Sequence, residues 1–185
     1  DTAHRIPIYV AADGPMALKA AGAYGDGRIS GLDPTPDRLK ASILLMHEGA
    51  AAAGRQLGDP HVTGMVSACV LQPGEDPGSD RVVDHVGATV VGVLHFWHDI
   101  YAQFGDDSFI EETCREEWND YLALVKSWNI PIEKRYQRLH MGHATFMMPE
   151  ERKLVTPALI QASGALVGTA NEIIERIKEQ EEAGL

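Results

Sequence analysis

Residues 6–30 read IPIYVAADGPMALKAAGAYGDGRIS, and this stretch decides the fold. The run IPIYVAA is β-branched, aromatic and apolar on both faces, the pattern of a parallel strand covered on each side. It halts at Asp13-Gly14-Pro15. Asp13 or Gly14 can cap a helix, and Pro15 suits the first helical position, where no N–H is required. Met16, Ala20 and Tyr24 follow at helical spacing, and Gly25 can end the helix in a left-handed conformation. GRIS then opens a second strand. Strand, helix and strand within one short stretch make a βαβ unit with a right-handed crossover.

The same alternation continues outward. Thr35-Pro36 opens a helix in which Leu39, Ile43, Met46 and Ala50 share a face, ending at Gly54. HVTGMVSACVLQ, residues 61–72, reads as one third strand. After the loop PGEDPGSD, helical spacing resumes with Val82, Val83, Val86, Val90, Val93 and Leu94. Such alternation indicates an α/β protein with a parallel sheet. Beyond residue 95 no strand is expected for a long stretch. Ile110, Cys114, Trp118, Tyr121, Leu122 and Val125 form a helical stripe, and Asp106, Asp107, Glu111, Glu112, Glu116, Glu117 and Asp120 mostly take the solvated face. Further helices are expected at Pro149 and at Thr156-Pro157. Thr169-Ala-Asn-Glu172 reads as a capping box for the last one.

Composition narrows the function. The chain has 185 residues, 44 % hydrophobic, enough for an ordinary core. Its 27 acidic against 16 basic residues give a net charge of −11, which argues against nucleic acid, because phosphate binding needs clustered Lys and Arg. No apolar run approaches the ~20 residues of a membrane span. Cys69 falls in a buried strand and Cys114 on the helical stripe, so a disulfide framework is not expected and the setting reads as reducing and cytoplasmic.

IPIYVAADGPMALKAAGAYGDGRI resembles the segment of bacterial luciferase-like oxidoreductases that reads P-(I/V)-Y-(V/I)-A-A-x-G-P ahead of a short helix. ALVGTANEIIERIKEQEEAGL is similar to that family's closing motif, L-x-G-T-x-x-E-(I/V)-x-E-R-I ending in A-G. The resemblance implies a (β/α)8 TIM barrel of roughly 250 residues or more. On that template residues 1–185 are expected to be the C-terminal part of a single barrel domain. Residues 1–95 would carry βα units with strands five, six and seven, residues 96–160 a mostly helical insertion, and residues 161–185 the final helix region. The first four strands and the eighth are then expected to be missing from the stretch.

The resemblance also implies a site at the C-terminal strand ends. A Gly-Pro turn into a helix offers free N–H groups and the positive end of a helix dipole. A deazaflavin coenzyme of the F420 type, or alternatively FMN, is expected to pack near Ala12, Asp13 and Gly14, with Gly31 giving backbone clearance. The implied activity is hydride transfer between that coenzyme and a small organic substrate; the alternative is a reduced-FMN monooxygenase. Members that oxidise sugar phosphates carry a lysine shortly after this strand, where the run here is GLDPTPDR, so a sugar phosphate is not expected. A homodimer, or pairing with the remainder of a barrel, is the expected partner. An alternative of another class is a non-catalytic α/β module that binds a partner protein.

Two histidine pairs stand out, His95-Phe-Trp-His98 and His140-Met-Gly-His143. Imidazoles three apart can serve one metal on a helix. No carboxylate pattern accompanies either pair and the resemblance requires no metal, so none is expected. His140 and His143 are instead candidates to line the substrate pocket, by hydrogen bonding or general acid/base chemistry. Arg135 and Arg138 can bind an anionic group or simply be exposed, and Trp97, Trp118 and Trp128 read as core.

Overall fold

The computed structural model describes residues 6–31, Asp33 and residues 35–185; Leu32 and Pro34, which fall within GLDPTPDR, lie outside the described residues. The chain divides into two compact units, Asp1–Val66 with Asn171–Leu185, and Ser67–Ala170.

In the first unit, strands β1 (Tyr9–Ala11), β2 (Gly27–Gly31) and β3 (His61–Met65) form one parallel sheet in the order β1-β2-β3. Tyr9 pairs with Gly27 and Gly27 with His61, and the Tyr9 and His61 rings stack at 5.0 Å across that glycine. A Cβ on Gly27 would lie 2.7 Å from the Tyr9 ring and 2.2 Å from the His61 carbonyl, so packing demands glycine there. Helices α1 (Pro15–Tyr24) and α2 (Pro36–Ala52) follow β1 and β2, and α7 (Ala170–Glu182) closes the chain.

Helix α1 starts where expected, with Gly14 at the N-cap and Pro15 in the first turn. Its buried face is different. Met16, Ala20 and Tyr24 are exposed, whereas Leu18, Ala21 and Gly22 are buried. The reason is backbone contact between helices: a Cβ on Gly22 would lie 1.8 Å from the Met46 carbonyl oxygen, and one on Gly49 would lie 1.9 Å from that of Lys19. Small residues, not the largest apolar ones, mark this interface. Gly25 is extended (φ −93°) rather than left-handed, and a side chain there would meet Val10. Strand β1 is not covered on each side: it is an edge strand, and Ile6, Ile8 and Tyr9 are exposed. Helix α2 buries Leu39, Met46 and Ala50 as its spacing predicts, with the Thr35 hydroxyl accepting from the Arg38 amide.

The second unit holds two short parallel strands, β4 (Ala68–Val70) and β5 (Leu166–Gly168), with helices α3 (Asp80–Phe104), α4 (Arg115–Ser127), α5 (Arg135–Leu139) and α6 (Pro157–Ala162). The expectation of one strand over 61–72 is thus corrected. Residues 61–65 and 68–70 belong to separate sheets. Strand β5 was not expected at all, because three residues ahead of a helix give too little pattern to read. Helix α3 runs unbroken through residue 95 to Phe104 and ends at left-handed Gly105. The helix expected from Pro149 is only a single 3-10 turn, Arg152–Leu154.

The core of this unit gathers the apolar stripe of α3 (Val82, Val86, Val90, Leu94) against Cys114, Trp118, Tyr121 and Val125. Fully burying each aliphatic side chain contributes about 1.5–3 kcal/mol. Trp118 is fully buried and donates through Nε1 to Asp107 at 2.9 Å, while Trp97 and Trp128 pack at its margin. Both cysteines are free and buried, and no helix among the described residues is long and apolar enough to cross a membrane.

Candidate functional site

The parallel register brings the C-terminal ends of β1 and β2 to one edge of the first unit's sheet. Ala12, Asp13, Gly14 and Gly31 all lie there, as the sequence predicts. Ala12 is buried, the Asp13 side chain is largely exposed, and Gly14 caps α1 without a side-chain hydrogen bond or an acidic residue in the first turn.

Gly14 and Gly31 differ from Gly22, Gly25, Gly27 and Gly49, which are held against neighbouring atoms. A Cβ at either would meet nothing within 4 Å, and neither has a positive φ. Neither the fold nor the backbone conformation therefore calls for glycine. Room beside the backbone at both strand ends is what a closely approaching flat ligand needs.

Sequence reading missed the residue that organises this edge. Arg28 lies on β2, almost fully buried. Its Nε donates to the Ala12 carbonyl at 2.6 Å, one terminal nitrogen to Asp33 Oδ2 at 2.7 Å and the other to Asp13 Oδ1 at 3.0 Å. The Ser30 hydroxyl, two residues on and so on the same strand face, also donates to Asp13 Oδ1. Gln180 of α7 donates from Nε2 to the Asp33 carbonyl at 2.9 Å, and its buried Oε1 has no partner among the described residues. One guanidinium thus ties the loop after β1 to the loop after β2. The signal was present as R-x-S alternation in a strand otherwise read only for its apolar residues.

In the second unit the structure regroups the histidines. His95, His140 and His143 each offer a nitrogen within 4.8 Å of the others, while His98 stands outside the group. His95 is buried and its Nε2 lies 2.8 Å from Glu151 Oε1; its buried Nδ1 has no partner among the described residues. His140 Nε2 lies 3.1 Å from Asp99 Oδ2, and His140 and His143 are exposed. The carboxylates absent from the local sequence pattern are supplied from a distance by folding. Burial holds the His98 imidazole below its ordinary range, against the pull of the neighbouring Asp99. His98, Asp99, Tyr101, Arg135 and Tyr136 line a cavity of ≈ 710 Å³.

The other candidates are structural. Arg138 pairs with Glu150 and lies 5.1 Å over the Trp128 ring, and Arg135 donates to the Ile130 carbonyl. Within the acidic group, Glu117 departs from the solvated face: it is buried and accepts from the Thr156 hydroxyl at 2.5 Å. Burial also pushes the Tyr121 phenol well above its usual value, reinforced by Glu151 and Asp99.

A family model described as luciferase-like monooxygenase matches residues 1–185. Among solved structures, a coenzyme F420-dependent tetrahydromethanopterin reductase from Methanopyrus kandleri is similar with a TM-score of 0.55 at 21 % identity, over 97 % of this chain and 43 % of that one. An F420-dependent secondary alcohol dehydrogenase in complex with an F420-acetone adduct is similar with a TM-score of 0.50 at 21 % identity, over 99 % of this chain and 42 % of that one. The chain therefore spans less than half the length of either.

Proposed function

We propose that this chain, which belongs to the luciferase-like monooxygenase family, is the C-terminal part of a (β/α)8-barrel oxidoreductase that moves a hydride between an F420-type deazaflavin and a small organic substrate. Strands β1 to β3, parallel and in sequence order, would be three of the barrel's staves. The observation that carries the reading is the unfilled space beside Gly14 and Gly31 at adjacent C-terminal strand ends. The F420 dependence of two structural neighbours supports the choice of deazaflavin.

When bound, the coenzyme supplies the hydride chemistry, and the protein supplies position and a dry environment. Ala12, Asp13 and Gly14 would hold the ring or phosphate chain, with Gly31 leaving clearance for it. Arg28 would fix the height of both loops through Ala12, Asp13 and Asp33 and thereby the plane on which the ring rests. Its charge is already matched by two carboxylates, so it positions the site rather than binding an anion directly. His140 and His143 would contact the substrate, with His140 oriented by Asp99.

The two free, buried cysteines fit the cytoplasm, and a homodimer or pairing with the rest of a barrel would cover the exposed β1 edge. The chromophore that copurifies with the complete protein tests the reading: a deazaflavin spectrum is expected, and a flavin spectrum would favour the alternative, a reduced-FMN monooxygenase. A cofactor-free α/β module that binds a partner protein would give neither spectrum, no affinity for either coenzyme, and a stable dimer in solution.

A further inference from the structure

We infer that His95, His140 and His143 form a binding site for one divalent transition-metal cation, zinc in the first instance. Their donor nitrogens lie within 4.8 Å of one another. Zinc–imidazole bonds of about 2.0–2.1 Å place tetrahedral donors about 3.3 Å apart. Closing the remaining gap falls to His140 and His143, both of which are exposed.

The buried member of the group points independently to a ligand. His95 is 2 % exposed, yet its Nδ1 meets no hydrogen-bond partner among the described residues. A buried polar atom left unpaired is destabilising, and a metal bond would satisfy it. The opposite nitrogen is already oriented, because Nε2 lies 2.8 Å from the equally buried Glu151 carboxylate, which also accepts from the Met148 amide. His140 repeats the arrangement with Nε2 on Asp99. A carboxylate on one ring nitrogen fixes the imidazole and raises the basicity of the other, the usual support of a histidine–metal bond. Both rings would then ligate through Nδ1.

The chain between the second and third imidazoles is a tight turn. The His143 amide donates to the His140 carbonyl at 3.2 Å, and Gly142 has φ +80° in a place where a Cβ would lie 2.5 Å from the Phe146 carbonyl. This turn holds the two rings 5.8 Å apart.

Chemistry selects the ion. Three imidazoles suit zinc, copper, nickel and iron, whereas calcium and magnesium require oxygen donors. Two carboxylates behind three neutral imidazoles balance a charge of two. Three protein ligands with two of them at the surface leave a fourth position open to water or substrate. With metal bound, substrate contact would pass from the two exposed imidazoles to that position. None of the residues 12–14 or 31 takes part, so failure of this inference leaves the coenzyme reading intact.

The test is titration of chelator-treated full chain with Zn²⁺ in competition with a chromophoric chelator, and with Co²⁺ as the spectroscopic probe. Wild type is expected to bind zinc stoichiometrically and to show the intense visible bands of four-coordinate cobalt. His143→Ala and His140→Ala, both at exposed positions, should each weaken zinc binding by about 100-fold or more, and Asp99→Asn by about 10–100-fold. His47→Ala, an exposed histidine elsewhere, should change nothing. Zinc binding no tighter in wild type than in the His140→Ala/His143→Ala double variant, or cobalt that stays weakly coloured and six-coordinate, would overturn the proposal. His95→Ala is left aside because loss of a buried ring can unfold the unit.

Discussion

The carboxylate of Glu151 lies 2.8 Å from His95 Nε2, and the two side chains, 56 positions apart in sequence, are each 3 % exposed. This contact pins the turn that follows Pro149 to the middle of helix α3. It also sets the orientation of the ring whose second nitrogen has no partner among the described residues. Glu151→Ala removes the partner of both the imidazole and the Met148 amide. A loss of about 3 kcal/mol is expected, read as a lower denaturant midpoint by tryptophan fluorescence, since Trp118 reports on the same core. An unchanged midpoint would show that the pair adds nothing.

Gly22 and Gly49 let α1 and α2 touch backbone to backbone. Gly22→Ala would place a methyl 1.8 Å from the Met46 carbonyl oxygen, and backbone cannot yield as a side-chain tip does. The expected cost is about 3 kcal/mol or more. Thermal melting should show this for Gly22→Ala but leave Gly14→Ala near wild type. Equal effects would contradict the packing account.

Arg28 acts through its planar fork. Arg28→Met leaves the Asp33 carboxylate, itself only 9 % exposed, without its cation, and a loss of about 3 kcal/mol is expected in urea unfolding. Arg28→Lys keeps the charge but cannot reach Ala12, Asp13 and Asp33 together, so it should recover only part of the loss. Full rescue by lysine would mean that charge alone matters.

His98 gives the second unit a pH dependence. Burial lowers its folded value beneath the unfolded value of about 6.5. Above about pH 6.5 both states are neutral there, and stability is insensitive to the proton. As pH falls through about 6.5, the unfolded chain binds the proton more readily and stability declines until the folded value is passed. Asp99 opposes this shift, while Arg135, His95 and His140 add to it. A histidine Cε1–H titration by NMR should put His98 below the ordinary imidazole value of about 6.5. A His98 midpoint at or above that value would refute the burial argument.

The strand-turn-helix at Asp13-Gly14-Pro15, the α2 face and the Ile110–Val125 stripe were legible because each rests on local periodicity or a cap. The α1 face was misread because periodicity weighs size, and this helix packs by its smallest residue, Gly22. Strand β5 was invisible because three residues carry no period. At the candidate site, the strand-end positions 12–14 and 31 were legible, but Arg28 was not, since a charge inside a strand acquires meaning only when the loops at its tip supply acceptors. The histidine cluster was half legible. Spacing found His140 and His143, whereas the pairing of His95 with Glu151, and of His140 with Asp99, joins residues far apart in sequence, beyond the reach of any local pattern.

The central claim is that the rim at Gly14 and Gly31 receives a flat redox coenzyme. Fluorescence titration of the chain with an F420-type deazaflavin, with FMN in parallel, tests it for wild type, Gly14→Val and Gly31→Val, alongside a melting curve for each. Preferential binding of the deazaflavin by wild type, weakened about tenfold or more in both variants (about 1.4 kcal/mol) with melting unchanged, is the predicted result. Equal affinity in all three proteins, or a preference for FMN, would contradict the account.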